Sequence, residues 1–573
     1  MNQPDRTDSG TWTPKSAVDA GLSVTHGVDL PFPPRRVTDI LDKAVSRWPE
    51  RIALDFMGRE WRYRDVADLA ARAAKGLQQA GLKKGDRIAL CLPNTPYYVV
   101  LYFAALRIGA VVVNMNPLYA PHEIDHTLRD SGAKMIAVPD VAAIQDKVVK
   151  AAPPAGVSTI IVCPMAEILP LVKGAGYRVL HRREIAHMPP APLGLSFRRL
   201  ISHGSDFTPV EVTPDDLAVL QYTGGTTGVP KGAMLTHANL SVNSAQMEVH
   251  IGNSDADLHR TLAVLPMFHV FALTAVLNYS VETAAEIVLL PRFEMRSCLK
   301  ALTRKPVTQF FGVPTLYVAL ANLPKEKVPS FRHVEACVSG GAPLPDDVRA
   351  HFEAATGGRV VEGYGLSESS PIITCNAAKG ETRAGSAGRA FPGTTIEIRN
   401  PDSPHEILPA GAKGEICARG PQVMRGYWQK PEATADVMID GALRTGDIGY
   451  IDEDGFLFIV DRIKDVILAG GYNVYPRIIE EAAYRHPAVA EAVAIGIPDK
   501  YRGQSPKLFV ALREGQSATV EELKTFLAQE LSKIERPHEI EIRASLPRTL
   551  IGKLSKKELV AEEAARRTAG AAT

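Results

Sequence analysis

The segment QYTGGTTGVPKGAML (residues 221–235) gathers Thr223, Gly224, Gly225, Thr226, Thr227 and Gly228 ahead of Lys231. Glycines let backbone N–H groups close on an anion, threonine hydroxyls add donors, and a lysine adds charge. This is phosphate-gripping chemistry. A Walker-type loop, however, has Gly before its lysine and Ser or Thr after it, and that hydroxyl is a Mg²⁺ ligand. Pro230 and Gly232 stand at those places here. Any metal ligand must therefore come from elsewhere in the chain.

Three further segments carry groups suited to a nucleotide. VVEGYGLSESSP (360–371) presents Tyr364, Ser367 and Glu368 in a Gly/Ser turn that follows an apolar strand. RTGDIGYIDEDGFLFIVDRIKD (444–465) sets Asp447 between two glycines. A carboxylate so presented can accept both hydroxyls of a ribose, or equally stabilise its own turn. LPRTLIGKLSKKEL (546–559) puts Lys553 after a glycine at the head of a helix. Taken singly these segments are ambiguous, because Glu368 alone reads as a solvated loop carboxylate and an isolated Gly-Lys carries no meaning.

The elements that must position these groups alternate in period. DRIALCLPNT, PYYVVLYFAALRIGA and VVVNMN read as strand, helix and strand, and AKMIAVPD and STIIVCP as further buried strands. This rhythm predicts α/β layering. Residues 1–35 are polar and Pro-rich, an expected arm, and 164–215 is broken by Pro and Arg into an expected surface excursion. The composition changes near 461. RIIEEAAYRHPAV, AEAVAIGIPD, KLFVALRE, VEELKTFLAQELSKIERP and HEIEIRASLP then give helix, strand, strand, helix and strand, a small α+β unit of ordinary domain size. The expected organisation is an arm (1–35), a large α/β domain of several subdomains (36–461), a hinge (462–465) and a small mobile α+β domain (466–573).

A chain of 573 residues exceeds one hydrophobic core. Its formal net charge of +1 supplies no global field for nucleic acid, and none is expected as a partner. Six scattered cysteines without a CxxC pair read as buried thiols in a reducing compartment. The N-terminus has no secretory pattern. The most apolar stretch (97–115) is broken by Arg107 and by Gly and Asn, too short to span a membrane. A cytoplasmic location follows as the expectation, with peripheral contact at the inner face of the membrane and a homodimer left open.

The four chemical segments occur together, in order, with PMFHVFAL (266–273), SGGAPL (339–344) and GEICARGPQVMRGYW (414–428). In this combination the chain resembles the adenylate-forming enzymes: acyl-CoA synthetases, peptide-synthetase adenylation domains and firefly luciferase. The likeness runs from about residue 36 to about 560. It implies that the 223–231 loop holds the β- and γ-phosphates of ATP while the Mg²⁺ ligand is Glu368. It also implies that Tyr364 packs on adenine beside Gly340, Gly341 and Ala342, that Ser367 meets the α-phosphate, and that Asp447 and Arg462 take the ribose. Lys553 would bridge the incoming carboxylate and the phosphate, Lys464 would be the hinge, and Gly470 and Gly471 would let the pantetheine of coenzyme A pass. His269 would stand near the carboxylate end of the acyl tunnel or serve as a buried core histidine. Within the superfamily the chain resembles bacterial long-chain fatty acyl-CoA synthetases, which implies activation of a medium- to long-chain fatty acid with ATP, Mg²⁺ and coenzyme A. Ser367 replaces the usual Thr, and the tryptophans usual in the segment matching Asp440–Lys464 are absent. An aryl (coumarate-like) or dicarboxylic acid–CoA ligase remains the alternative, and a ligase loading a carrier protein a more distant one.

Overall fold

The apolar runs read as strands lie side by side in two large sheets of a computed structural model that describes residues 33–223, 229–252, 256–469, 472–499, 501–549 and 553–570. The first sheet has seven strands, in the order Gly194–Ser196, Thr159–Cys163, Met135–Pro139, Arg87–Leu90, Val111–Asn114, Leu217–Thr223 and Lys231–Thr236. All neighbours are parallel except the last pair. The second has nine strands. Its centre is parallel and runs through Ile52–Phe56, Glu286–Leu289, Arg260–Ala263, Gln309–Gly312, Ala336–Ser339 and Val361–Gly365. Strands this rich in Val, Ile, Leu and Phe are read as covered on both faces.

The helix Pro96–Arg107 shows how the covering works. Every residue from Pro96 to Leu106 is buried, and the same hydrophobic core joins it to residues of both sheets, including Val219 and Phe310. Its all-round hydrophobicity is that of a helix enclosed by protein. Among the described residues no helix is long and apolar enough to cross a membrane. All six cysteines are buried and free.

A third sheet, antiparallel, carries Thr395–Arg399, Gly414–Arg419, Ala442–Ile451 and Leu457–Arg462. The chain leaves it at Arg462, passes through a 3₁₀ turn at Ile463–Asp465, and enters a fourth sheet at Ile467. That fourth sheet centres on the long hairpin Val489–Asp499 and Gly503–Leu512, with separate cores on either side of it. The first helix of this unit, Pro476–Tyr484, rests against the third sheet through Arg477. Its backbone N–H donates to Asp461 Oδ2 (2.8 Å) and its Nη1 to the Ile459 carbonyl (2.6 Å). The Arg477 charge also faces the buried Glu362, whose carboxyl is pushed up to about 7 by burial.

Four local features differ from the reading of the sequence or add to it. The 223–231 loop does not feed a helix directly, because the strand Lys231–Thr236 intervenes before the helix His237–Ile251. Its KGAMLT sequence has little β-propensity and is held in place by pairing with Leu217–Thr223, Thr223 lying opposite Lys231. Lys553 is not at the head of a helix but three residues before Lys556–Gly570. The glycine-rich stretch after Val466 forms two short antiparallel strands, Ile467–Ala469 and Tyr472–Val474. Finally, the excursion at 164–215 is partly regular, contributing the helix Leu171–Leu180 and an edge strand of the first sheet.

Candidate active site

The parallel strands of the nine-stranded sheet end together, and their carboxyl ends are where α/β sheets commonly place a ligand. Ala336–Ser339 runs into Gly340, Gly341 and Ala342, with the Gly340 N–H bonded to the Gly312 carbonyl of the next strand (3.0 Å). Val361–Gly365 carries Tyr364 and turns at once into the 3₁₀ segment Ser367–Ser369. Gly365 makes that turn possible, since a Cβ there would stand 1.9 Å from the Pro371 carbonyl oxygen.

The third sheet brings Asp447 to this edge. Asp447 and Arg462 are opposite residues of neighbouring antiparallel strands. The Arg462 Nε lies 3.1 Å from Asp447 Oδ1, and the Tyr364 hydroxyl donates to Oδ2 at 2.6 Å. Asp447 is buried. Burial raises its pKa, while Arg462 and the Tyr364 hydrogen bond act in the opposite direction. Burial and the same carboxylate keep Tyr364 protonated. The result is a fixed, polar, two-oxygen acceptor in a shielded setting.

Lys553 enters from the small unit. Gly341 has φ +80, and a methyl group on it would stand 2.7 Å from Lys553 Cε and 2.9 Å from Nζ. Only glycine leaves room for the ammonium here. Burial, with the Arg462 charge, lowers the Lys553 pKa to about 8, against the opposing pull of Asp447. His269 feels this lysine too: burial and the Lys553 charge lower its pKa to about 3. It is a neutral imidazole at working pH. Its Nδ1 accepts from the Phe271 N–H at 3.4 Å, capping the helix Val270–Ala272, so Nε2 is left to carry the proton. A buried π-helix, Leu273–Asn278, follows directly.

A second cluster adjoins the first through the short link from Tyr364 to Glu368. Glu368 Oε1 accepts from the Tyr427 hydroxyl at 2.8 Å, and its carbonyl from the Met424 N–H at 2.7 Å. The Tyr427 ring lies beneath the Lys231 ammonium, 5.1 Å from Nζ to centroid. Tyr427 thus joins the expected metal carboxylate to the expected phosphate lysine. Asp130 secures the base of this arrangement. Its side chain accepts from Tyr222 (2.7 Å) and Lys430 (3.0 Å), and its carbonyl from the Trp428 indole (3.1 Å). Neither Tyr427 nor Asp130 was assigned a role from sequence. The only signal was the RGYW ending of a segment read for resemblance alone.

The donor chemistry fits a hard cation. Carboxylate and phosphate oxygens are the usual Mg²⁺ ligands, Glu368 keeps one oxygen beyond its Tyr427 contact, and among the described residues no lysine or arginine forms a salt bridge to it. Of the residues expected from sequence, Lys553, Gly341, Tyr364, Asp447, Arg462 and His269 come together, and Glu368, Lys231 and Thr223 adjoin them. The Glu368 charge also acts on Arg462, which links the two clusters. Ser367 opens the turn beside Glu368, and Ala342 follows Gly341. Lys464 lies exposed in the turn between the third and fourth sheets. Gly224, Gly225, Thr226, Thr227, Gly228, Gly470 and Gly471 lie outside the described residues.

Comparison with known proteins places this geometry in context. Residues 41–428 match the family model described as AMP-binding enzyme, and 478–553 match AMP-binding enzyme C-terminal domain. A long-chain-fatty-acid–CoA ligase of Bacillus subtilis (strain 168) is 39% identical over 540 residues, 93% of this chain and 96% of its own. One from Escherichia coli O157:H7 is 38% identical over 533 residues, 91% and 94% of the two chains. Among solved structures, ATP-bound MatB from Rhodopseudomonas palustris superposes with a TM-score of 0.80 at 29% identity, covering 92% of this chain and 99% of that one.

Proposed function

This chain belongs to the AMP-binding enzyme family, and we propose that it is a fatty-acid–CoA ligase that activates a medium- to long-chain acid as its adenylate. The observation that carries the chemistry is the seating of Lys553 on Gly341, beside Asp447 and Arg462, with its charge felt at His269. An ammonium held there answers the electrostatic problem of bringing a carboxylate to a polyanionic phosphate.

In this reading the ribose hydroxyls of ATP bind Asp447, with Arg462 at the ribose edge and Tyr364 against the base. Lys231, Thr223 and the 224–228 segment take the β- and γ-phosphates, and Ser367 the α-phosphate. Glu368, oriented by Tyr427, would hold Mg²⁺, which supplies charge neutralisation at the phosphate oxygens. One oxygen of the fatty carboxylate attacks the α-phosphorus and the bond to the bridging oxygen breaks, giving acyl-AMP and pyrophosphate. Lys553 neutralises the oxygens at which charge moves, and the neutral His269 donates from Nε2 near the carboxylate. In the second half-reaction the thiol of coenzyme A loses its proton, attacks the acyl carbon and expels AMP. For this step the small unit turns about the 462–465 segment, withdrawing Lys553 and presenting Gly470 and Gly471.

The choice of a fatty acid rests on the 38–39% identity to long-chain-fatty-acid–CoA ligases across more than nine-tenths of the chain. Each methylene buried in an apolar tunnel contributes about 0.8 kcal/mol, so saturated acids of about eight carbons or more should far outpace acetate. Pyrophosphate release measured across acetate, saturated acids, dicarboxylates and cinnamates, each with and without coenzyme A, tests the reading. Preferred turnover of coumarate would assign an aryl-CoA ligase instead.

A further inference from the structure

Remote from this site, the helix Leu171–Leu180 (LVKGAGYRVL) is oriented against its own hydrophobicity. Leu171, Val172, Val179 and Leu180 are 91, 87, 71 and 80% exposed, among the most exposed apolar side chains described in the protein. At 100° per residue Leu171, Val172, Ala175 and Val179 fall within one 100° arc. The face turned to the protein is built differently. Gly174 sits so close that a Cβ would stand 2.5 Å from the Ala166 carbonyl oxygen, and Tyr177 packs onto the main core. An ordinary surface helix buries its apolar arc. This one buries a glycine, half-buries a tyrosine, and presents its leucines and valines to solvent.

Basic residues accompany the apolar arc in sequence. Residues 171–199 hold Lys173, Arg178, Arg182, Arg183, Arg198 and Arg199 against a single acid, Glu184, in a chain whose net charge is only +1. All six basic side chains are exposed. Among the described residues none of the five arginines forms a salt bridge, and Lys173 donates to the Met57 carbonyl at 2.6 Å. At 100° per residue Arg178 borders the arc on the helix, about 20° outside it, while Lys173 lies on the side facing Met57 and the remaining four follow the helix in sequence.

We propose that residues 171–199 are a docking surface for an anionic lipid bilayer, with the Leu171–Val179 arc inserted at the headgroup boundary and the arginines on lipid phosphates. An apolar arc bordered by Lys and Arg is what an interfacial helix needs, and long basic side chains extend readily to the headgroups. A second copy of the chain is a poor occupant of the same surface. A two-fold contact would set six basic groups against the same six across the interface, with one acid on each side. The inference stands apart from the substrate reading, since its test measures binding rather than turnover.

The test is co-sedimentation of the full chain with vesicles of pure phosphatidylcholine and of phosphatidylcholine with one-third phosphatidylglycerol. Three proteins are compared: wild type, Leu171→Ser/Val172→Ser and Arg182→Glu/Arg183→Glu. All four altered side chains are exposed and lie outside the proposed active site, so the circular-dichroism spectrum and melting temperature should be unchanged, which certifies folding. Wild type is expected on the anionic vesicles and not on the neutral ones, with binding lost in high salt. Each basic residue near an anionic surface is worth about five-fold in affinity, so the double charge reversal should weaken binding by at least about 25-fold. The serine variant should also lose binding while retaining its charge. Absence of wild-type binding to anionic vesicles, or variants that bind like wild type, overturns the proposal. So does self-association abolished by Leu171→Ser/Val172→Ser without vesicle binding, which would give the surface to a second copy.

Discussion

Replacing Gly341 with alanine should disable Lys553 without touching it. The added methyl would stand 2.7 Å from Lys553 Cε and 2.9 Å from Nζ, well inside van der Waals contact, so the ammonium must leave its seat. Gly341 also has φ +80, a conformation that costs an L-residue about 1–2 kcal/mol. That strain appears in global stability. The catalytic effect is larger. Displacing one charged donor from oxygens that gain charge in the transition state costs about 3–4 kcal/mol, roughly 10²–10³ in rate. The assay is single-turnover formation of acyl-adenylate, with saturating Mg²⁺ and ATP, for Gly341→Ala, Lys553→Ala and the double variant. If the alanine acts by evicting the lysine, the double variant should be no slower than Lys553→Ala alone, a strongly non-additive cycle. Independent losses that multiply to about 10⁴ or more would show that Gly341 acts through something other than the room it leaves for Lys553.

Two other outcomes follow from the geometry. Tyr427→Phe keeps the ring under Lys231 but removes the 2.8 Å hydrogen bond to Glu368. A hydrogen bond to a charged group is worth about 1.5–3 kcal/mol, so calorimetric binding of ATP should weaken about ten-fold or more when Mg²⁺ is present and change little without it. Equal weakening in both conditions would contradict a role toward the metal carboxylate. The pH dependence of adenylation should reflect Lys553, whose pKa is lowered to about 8. The ammonium is the active form, so kcat/KM for ATP, which reports the free enzyme, should be full below about pH 8 and fall as pH rises through it. A profile flat to pH 10 would remove Lys553 from the free-enzyme titration.

Much of this architecture was legible in the sequence because its signals were local. The run from DRIAL to VVVNMN gave its strands and helix through apolar period and bounding Pro and Gly, and the five elements of the small unit followed in order. The strand Lys231–Thr236 was not legible, since nothing in KGAMLT favours a strand until Leu217–Thr223 is present to pair with it. Tyr427 was invisible for a related reason. Its link to Glu368 spans 59 positions, and an aromatic in a turn reads no differently whether it packs or orients a carboxylate. Asp447 illustrates the opposite case: its glycine flanks suggested a presented carboxylate, but its burial and its partner Arg462 come from strand register. The outward-facing apolar arc of Leu171–Leu180 likewise depends on which side of the helix meets the protein, which a period alone does not fix.

The central claim, that the acid is joined to AMP before it meets coenzyme A, can be followed by the oxygen itself. A fatty acid carrying ¹⁸O in both carboxylate positions should be converted with ATP, Mg²⁺ and coenzyme A, and the products weighed by mass spectrometry. Attack on the α-phosphorus followed by thiol displacement predicts one ¹⁸O in AMP, one in the acyl thioester and none in pyrophosphate. Label in inorganic phosphate with ADP as the nucleotide product, or unlabelled AMP, would contradict the account.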